Sequence, residues 1–157
     1  LMMFTLPGVP SIYYGDELGL TGGQDPDNRR TFPIDNKGDQ EVLETYRALI
    51  RLRKNVARQA LVYGELKVLL AQDKILVYSR IHEGERVVVA VNKSAQKIDL
   101  KIENGWNLGA DSKILLTVGA AHLSEDSGSS TFSGTSRDQS VHAGFLHLDA
   151  LSAVVLS

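Results

Sequence analysis

The chain has 157 residues, 43% of them hydrophobic, with a net charge of −2; that is enough for one good core, or for a domain and part of another. A charge so close to zero argues against nucleic acid or a membrane surface as a partner. Cysteine is absent, which excludes disulfides and thiolate metal sites.

The apolar run Leu1-Met2-Met3-Phe4-Thr5-Leu6 reads as the end of a helix, stopped by Pro7 and Gly8. It is too short for the apolar region of a signal peptide and lacks a basic flank. It reads as a piece of a longer chain, and the compartment, cytoplasmic or exported, stays open. Residues 11–15 read as a short strand ending at the carboxylates Asp16 and Glu17. From Leu20 to Asp39 the turn formers Gly22, Gly23, Pro26, Asn28, Pro33, Asn36 and Gly38 mark a long loop. Loops of that length inside compact domains usually bind something.

Residues 39–57 carry the clearest helix pattern. Asp39 is the expected N-cap, and Arg51, Arg53, Lys54 and Arg58 collect toward the negative end of the dipole. Val42, Tyr46, Leu49, Ile50, Arg53 and Val56 recur at spacings of three and four, the signature of one buried face. The solvated basic cluster is explained by that dipole. After Gly64 the period becomes two. Residues 66–70, 75–81, 86–91, 97–102, 113–118, 145–148 and 153–156 are strand candidates, with Gly84, Asn92, Asn104-Gly105 and Gly119 in the turns. Such short, regularly spaced strands predict an antiparallel sandwich. The Ser/Gly-rich residues 124–140 read as a long loop or hairpin without function.

Against this background, "LPGVPSIYYGDELGLTGG" followed by "DPDNRRTFP" resembles the eighth strand and following loop of the alpha-amylase superfamily barrel, glycoside hydrolase family 13. The branch it most resembles is the neopullulanase, cyclomaltodextrinase and maltogenic amylase group. "LIRLRKNVARQALVYGELKVL" is similar to that family's last barrel helix and its lead into a C-terminal sandwich, and "LDALSAVVLS" to the sandwich's final strand. The resemblance implies the last strand, loop and helix of a (β/α)8 TIM barrel over residues 1–58, then an all-β antiparallel, Greek-key type sandwich over residues 59–157. It also implies a retaining glycosidase acting on α-glucans, whose catalytic carboxylates lie on earlier barrel strands. None of the residues of this chain is then catalytic, and the fragment alone is expected to be inactive.

Within the resemblance, Asp25 and Arg29 match a carboxylate and an arginine that bind sugar; a carboxylate with a guanidinium fork suits vicinal hydroxyls. The bland alternative for the pair is a surface salt bridge bracing the loop. Tyr14 is the third expected sugar contact. Tyr13 and Tyr14, alternating sides of a strand, place one ring at most on a sugar and the other in the core. Asp16, Glu17 and Arg30 are expected to support the site, with Arg30 paired to a carboxylate elsewhere in the barrel. Adjacent strand residues face opposite ways, so Asp16 and Glu17 do not flank one glycosidic bond. Residues 25–29 depart from a calcium loop at Arg29, so no metal is expected, and no cofactor.

The histidines His82, His122, His142 and His147 show no metal spacing and no nearby nucleophile, and Trp106 reads as core. Apolar residues in 1–35 predict that this segment self-associates with another copy of the chain or packs against its own sandwich. Two other classes compete with the hydrolase: a non-catalytic carbohydrate-binding or structural β domain, and part of an α-glucosyl transferase or isomerase.

Overall fold

The structure is a computed structural model and describes residues 1–35, 38–102, 104–108, 112–125 and 144–157. The region expected as a loop at residues 124–140 lies outside these, apart from its first two residues, and so does His142.

A single helical turn, α1 (Met2–Thr5), opens the chain. The expected strand at 11–15 does not form: Asp16 N–H bonds the Tyr13 carbonyl at 3.1 Å, and a 3-10 turn follows over Asp16–Leu18. A parallel barrel strand takes its hydrogen bonds from neighbouring strands, and among the described residues none flanks this segment. The barrel remnant expected over residues 1–58 is therefore not evident here.

Helix α2 (Gln40–Arg51) begins where the sequence placed it. The Asp39 carboxylate accepts the Glu41 and Val42 amides at 2.9 and 3.1 Å, satisfying two of the helix's orphan donors. Its far end departs from the expected pattern. Residues Leu52–Val56 widen into a π-helical turn, closed by Ala57 N–H to the Leu52 carbonyl. The wider turn rotates the following side chains. Leu52 enters the core at 3% exposure while Val56 is left 54% exposed and Ile50 37%. Arg53 is buried, in keeping with its place on the predicted apolar face, and is not solvated with the rest of the basic cluster. A second π-helical turn, Gln59–Tyr63, ends at Gly64. A Cβ on Gly64 would sit 2.9 Å from the Ile81 backbone, so only glycine permits this approach of helix to sheet.

Among the described residues eight strands follow: β1 (Glu65–Gln72), β2 (Ile75–His82), β3 (Glu85–Asn92), β4 (Ile98–Lys101), β5 (Ile114–Val118), β6 (Ala121–Glu125), β7 (Gly144–Leu148) and β8 (Ser152–Leu156). All seven sequence candidates are present. Strand β6 was not anticipated: only Ala121 and Leu123 point inward, too little apolar signal to separate it from a loop. The strands form a five-stranded antiparallel sheet, β1-β2-β3-β8-β5, and a three-stranded one, β4-β7-β6. At the β2–β3 hairpin Glu83 and Gly84 both hold positive φ, 45° and 87°, as a two-residue primed turn requires.

The central strands β2, β3 and β8 of the larger sheet are buried on both faces. Val77, Val88, Ala90, Val154 and Leu156 pack against Leu100, Leu146 and Leu148 of the smaller sheet, with Trp106 in the same cluster. On the other face Tyr78, Val87, Val89 and Val155 meet Leu52, Ala57, Ala60 and Leu61. Burial on both sides explains the unbroken apolar run of β3, which one-sided alternation would not produce.

Two buried arginines tie the N-terminal segment to this core. Arg53 donates to the Phe4 carbonyl at 2.8 Å and to Gly8 at 2.5 Å. Arg80, only 1% exposed, donates from Nη1 to the Thr5 carbonyl at 2.7 Å and from Nη2 to Gly64 at 2.8 Å. Burial lowers the pKa of both guanidinium groups, and for Arg80 the charge of Arg53 acts in the same direction. The Tyr78 hydroxyl meets Thr5 Oγ1 at 2.5 Å, completing the seam.

Candidate functional site

The loop of residues 20–33 is a self-braced polar structure. Asp27 is its centre. Its carboxylate takes a two-pronged contact from Arg30, Nε to Oδ1 at 2.9 Å and Nη2 to Oδ2 at 2.9 Å, and also accepts the Gly23 amide at 2.9 Å. Those charged and polar donors favour the ionised form, so the Asp27 pKa lies below the usual carboxylate range. Arg30 thus pairs three residues back in its own turn, not with a distant carboxylate as expected. The reason is local: Asp27–Arg29 is a 3-10 turn, which brings residues three apart together. At Gly22 a Cβ would meet Asn28 Cα at 2.9 Å, so the turn closes onto backbone.

Asp25 and Arg29 also meet, Arg29 Nε lying 3.1 Å from Asp25 Oδ1 across the cis Asp25–Pro26 bond. Their side chains are 62% and 71% exposed. The geometry satisfies the bland expectation, a surface ion pair, and equally leaves both groups accessible to a ligand. Tyr14 reaches the same loop, its hydroxyl donating to the Arg30 carbonyl at 3.1 Å. Desolvation and the neighbouring Tyr13 raise the Tyr14 pKa, while the Arg29 cation opposes them. Asp25, Arg29 and Tyr14 are therefore brought together beside the loop.

The two tyrosines do not alternate. Their rings pack on each other, centroids 4.7 Å apart and tilted by 41°, and both are exposed. Without a strand the period-two argument lapses, and the pair forms one aromatic surface beside the loop. Asp16 and Glu17 share the 3-10 turn behind it. Glu17 Oε2 accepts the Gly15 amide at 2.8 Å, which holds the turn. Both carboxylates lie close enough to Tyr46 on α2 to raise its pKa, after the larger effect of burial. Gly15 carries φ of 94°, and a Cβ there would collide with Leu20.

A groove of about 550 Å³ lies elsewhere, lined by Phe4, Pro10, Ile12, Ile50, Arg53 and Val62 among others. It shares no lining residue with the loop. Among the described residues no group of three or more His, Asp or Glu is placed to hold a metal ion, and no helix is long and apolar enough to cross a membrane.

Sequence reasoning missed one cluster. His147 does neighbour a hydroxyl: its Nε2 is 2.8 Å from Ser124 Oγ, and its Nδ1 is 2.6 Å from Asp99 Oδ1. Three strands distant in sequence supply these groups, so linear spacing carried no signal for it.

An antiparallel two-sheet β domain, preceded by a capped helix and a braced polar loop, is the class that fold and site define. Residues 64–139 match the family model described as Alpha-amylase C-terminal domain. A cyclomaltodextrinase of Geobacillus thermopakistaniensis is 38% identical over 103 residues, covering 64% of this chain and 17% of that protein. A cyclomaltodextrin glucanotransferase of Geobacillus stearothermophilus is 36% identical over 94 residues, covering 60% of this chain and 13% of that protein. The solved native debranching enzyme of Nostoc punctiforme superposes with a TM-score of 0.77 at 32% identity, covering 99% of this chain and 29% of that one. The chain is thus similar to the C-terminal part of alpha-amylase-family enzymes, with the family model matching over residues 64–139. It spans between about an eighth and a sixth of the two curated relatives named.

Proposed function

We propose that this chain is the non-catalytic C-terminal part of an alpha-amylase-family glycoside hydrolase acting on α-glucans of the starch, pullulan or cyclodextrin type. The supporting observation is the match to the Nostoc punctiforme debranching enzyme over 99% of the chain, which takes in the loop of residues 20–33 as well as the β domain. In this reading residues 1–58 complete a (β/α)8 barrel and residues 59–157 form the sandwich beside it. The apolar side chains left exposed before the first strand, Val9 at 95% and Ile34 at 89% foremost, fit a surface that packs against the rest of such an enzyme.

Asp25 and Arg29 bind sugar hydroxyls, and Tyr14 offers a ring face and hydroxyl beside them. Asp27 with Arg30, and Glu17 with Gly15, hold the loop and turn that present those groups. Asp16 lies on the same turn. The nucleophile and general acid of a retaining mechanism come from the remainder of the enzyme, so the 157 residues alone release no reducing sugar. A transferase differs only in the acceptor, and the glucanotransferase relative keeps that reading as the second one.

The test is kinetic. In the full-length enzyme carrying this segment, Asp25→Ala and Arg29→Ala are expected to raise KM for cyclodextrin or pullulan by about tenfold or more, the scale of a lost charged hydrogen bond. Unchanged kinetics in both variants would remove the loop from the substrate site. Product analysis on the same substrates separates hydrolysis from transfer.

A further inference from the structure

We propose that Ser124 is a nucleophilic hydroxyl, activated by His147 as general base with Asp99 as positioning residue, and that it accepts acyl groups from small activated esters. The site is independent of the glucan reading and lies on the smaller sheet. Strands β4 and β7 place Asp99 opposite His147, and β6 and β7 place His122 opposite His147. Leu100, Leu146 and Leu148 point into the core, so by strand alternation Asp99, His147, His122 and Ser124 occupy the outer face. The His147 side chain is 26% exposed and that of Asp99 66%.

Both ring nitrogens are committed, and the commitments fix their roles. A carboxylate only accepts, so Nδ1, at 2.6 Å from Asp99 Oδ1, carries the proton. In the neutral ring Nε2 then holds the lone pair and accepts the Ser124 O–H at 2.8 Å. This is the arrangement of hydroxyl, base and orienting carboxylate that defines an activated serine on unrelated folds. The His122 ring stacks on His147 at 4.4 Å and 14°, limiting its rotation.

In the step, Ser124 Oγ forms a bond to the ester carbonyl carbon while its proton passes to His147 Nε2. The ester C–O bond breaks, and the same proton leaves with the departing aryloxide as a phenol. Water then attacks the acyl-serine with His147 again as base; the acyl C–Oγ bond breaks, the proton passes from Nε2 to Ser124 Oγ, and the carboxylic acid leaves. Esters with a good leaving group are the substrates that such a hydroxyl–imidazole pair acylates most readily.

The probe is p-nitrophenyl acetate added to the 157-residue chain. The expected result is a burst approaching one equivalent of p-nitrophenol, with an acetyl group on the Ser124 peptide by mass spectrometry. Ser124→Ala loses the label, and His147→Gln slows it by about a hundredfold, the scale of general-base catalysis. Asp99→Asn, which keeps the shape, slows labelling at the same serine and shifts the His147 tautomer seen in ring ¹⁵N spectra. Far-UV circular dichroism verifies that each variant is folded. Acetylation confined to lysines and the N-terminus, or Ser124 labelling equal in wild type and folded His147→Gln, overturns the proposal.

Discussion

The Arg80 guanidinium donates to the carbonyl of Thr5 at 2.7 Å, joining residues 75 positions apart. With its second contact at Gly64 it stitches the opening helical turn to the point where α2 gives way to the sheets. Buried carbonyls left without donors are costly. Arg80→Met should therefore destabilise the chain by about 2–4 kcal/mol, since two acceptors at about 1–3 each lose their partner while a buried cation is also removed. Arg80→Lys should recover part of this, because one ammonium lacks the fork that spans both carbonyls. Urea denaturation midpoints measure both.

The π-helical turn sets which side chain enters the core. Leu52→Ala is expected to cost about 2–5 kcal/mol, and Val56→Ala within about 0.5 kcal/mol, as at an ordinary surface position. A regular α-helix through residue 56, as sequence periodicity implies, would give Val56 the larger effect. Comparing the two variants in thermal unfolding decides between the registers.

Asp27 sets the acid response of the loop. Its folded pKa lies below the unfolded value. Its contribution to loop order is thus fully present above the ordinary carboxylate pKa, about 3.9. That contribution is lost as pH falls through the lower folded value. The Gly23 amide, hydrogen-bonded to Asp27 Oδ2, should show this titration in NMR, and Arg30→Gln should move its midpoint upward. A midpoint unmoved by Arg30→Gln would mean that the ion pair does not hold the carboxylate.

The exposed apolar side chains before the first strand lead to a prediction about the isolated chain. At micromolar concentration it should sediment as an associated species, and Val9→Asp with Ile34→Asp should return it to monomer. A wild-type monomer across that concentration range would refute association through this face.

Read by itself, the sequence determined the helix start at Asp39, seven of the eight strands and the polar character of the loop. Each of these rests on local chemistry: a capping carboxylate, a period of two, or a cluster of turn residues. What it misjudged depended on partners distant along the chain. Residues 11–15 have strand composition, but a parallel strand exists only when neighbours supply its hydrogen bonds. Arg80 has the composition of a solvent-facing cation, yet the backbone carbonyls of Thr5 and Gly64 draw it inside. The Ser124–His147–Asp99 alignment depends on which strands pair and in what register. Only the tertiary structure decides that, because side chains on adjacent strands meet through the sheet and not through the sequence.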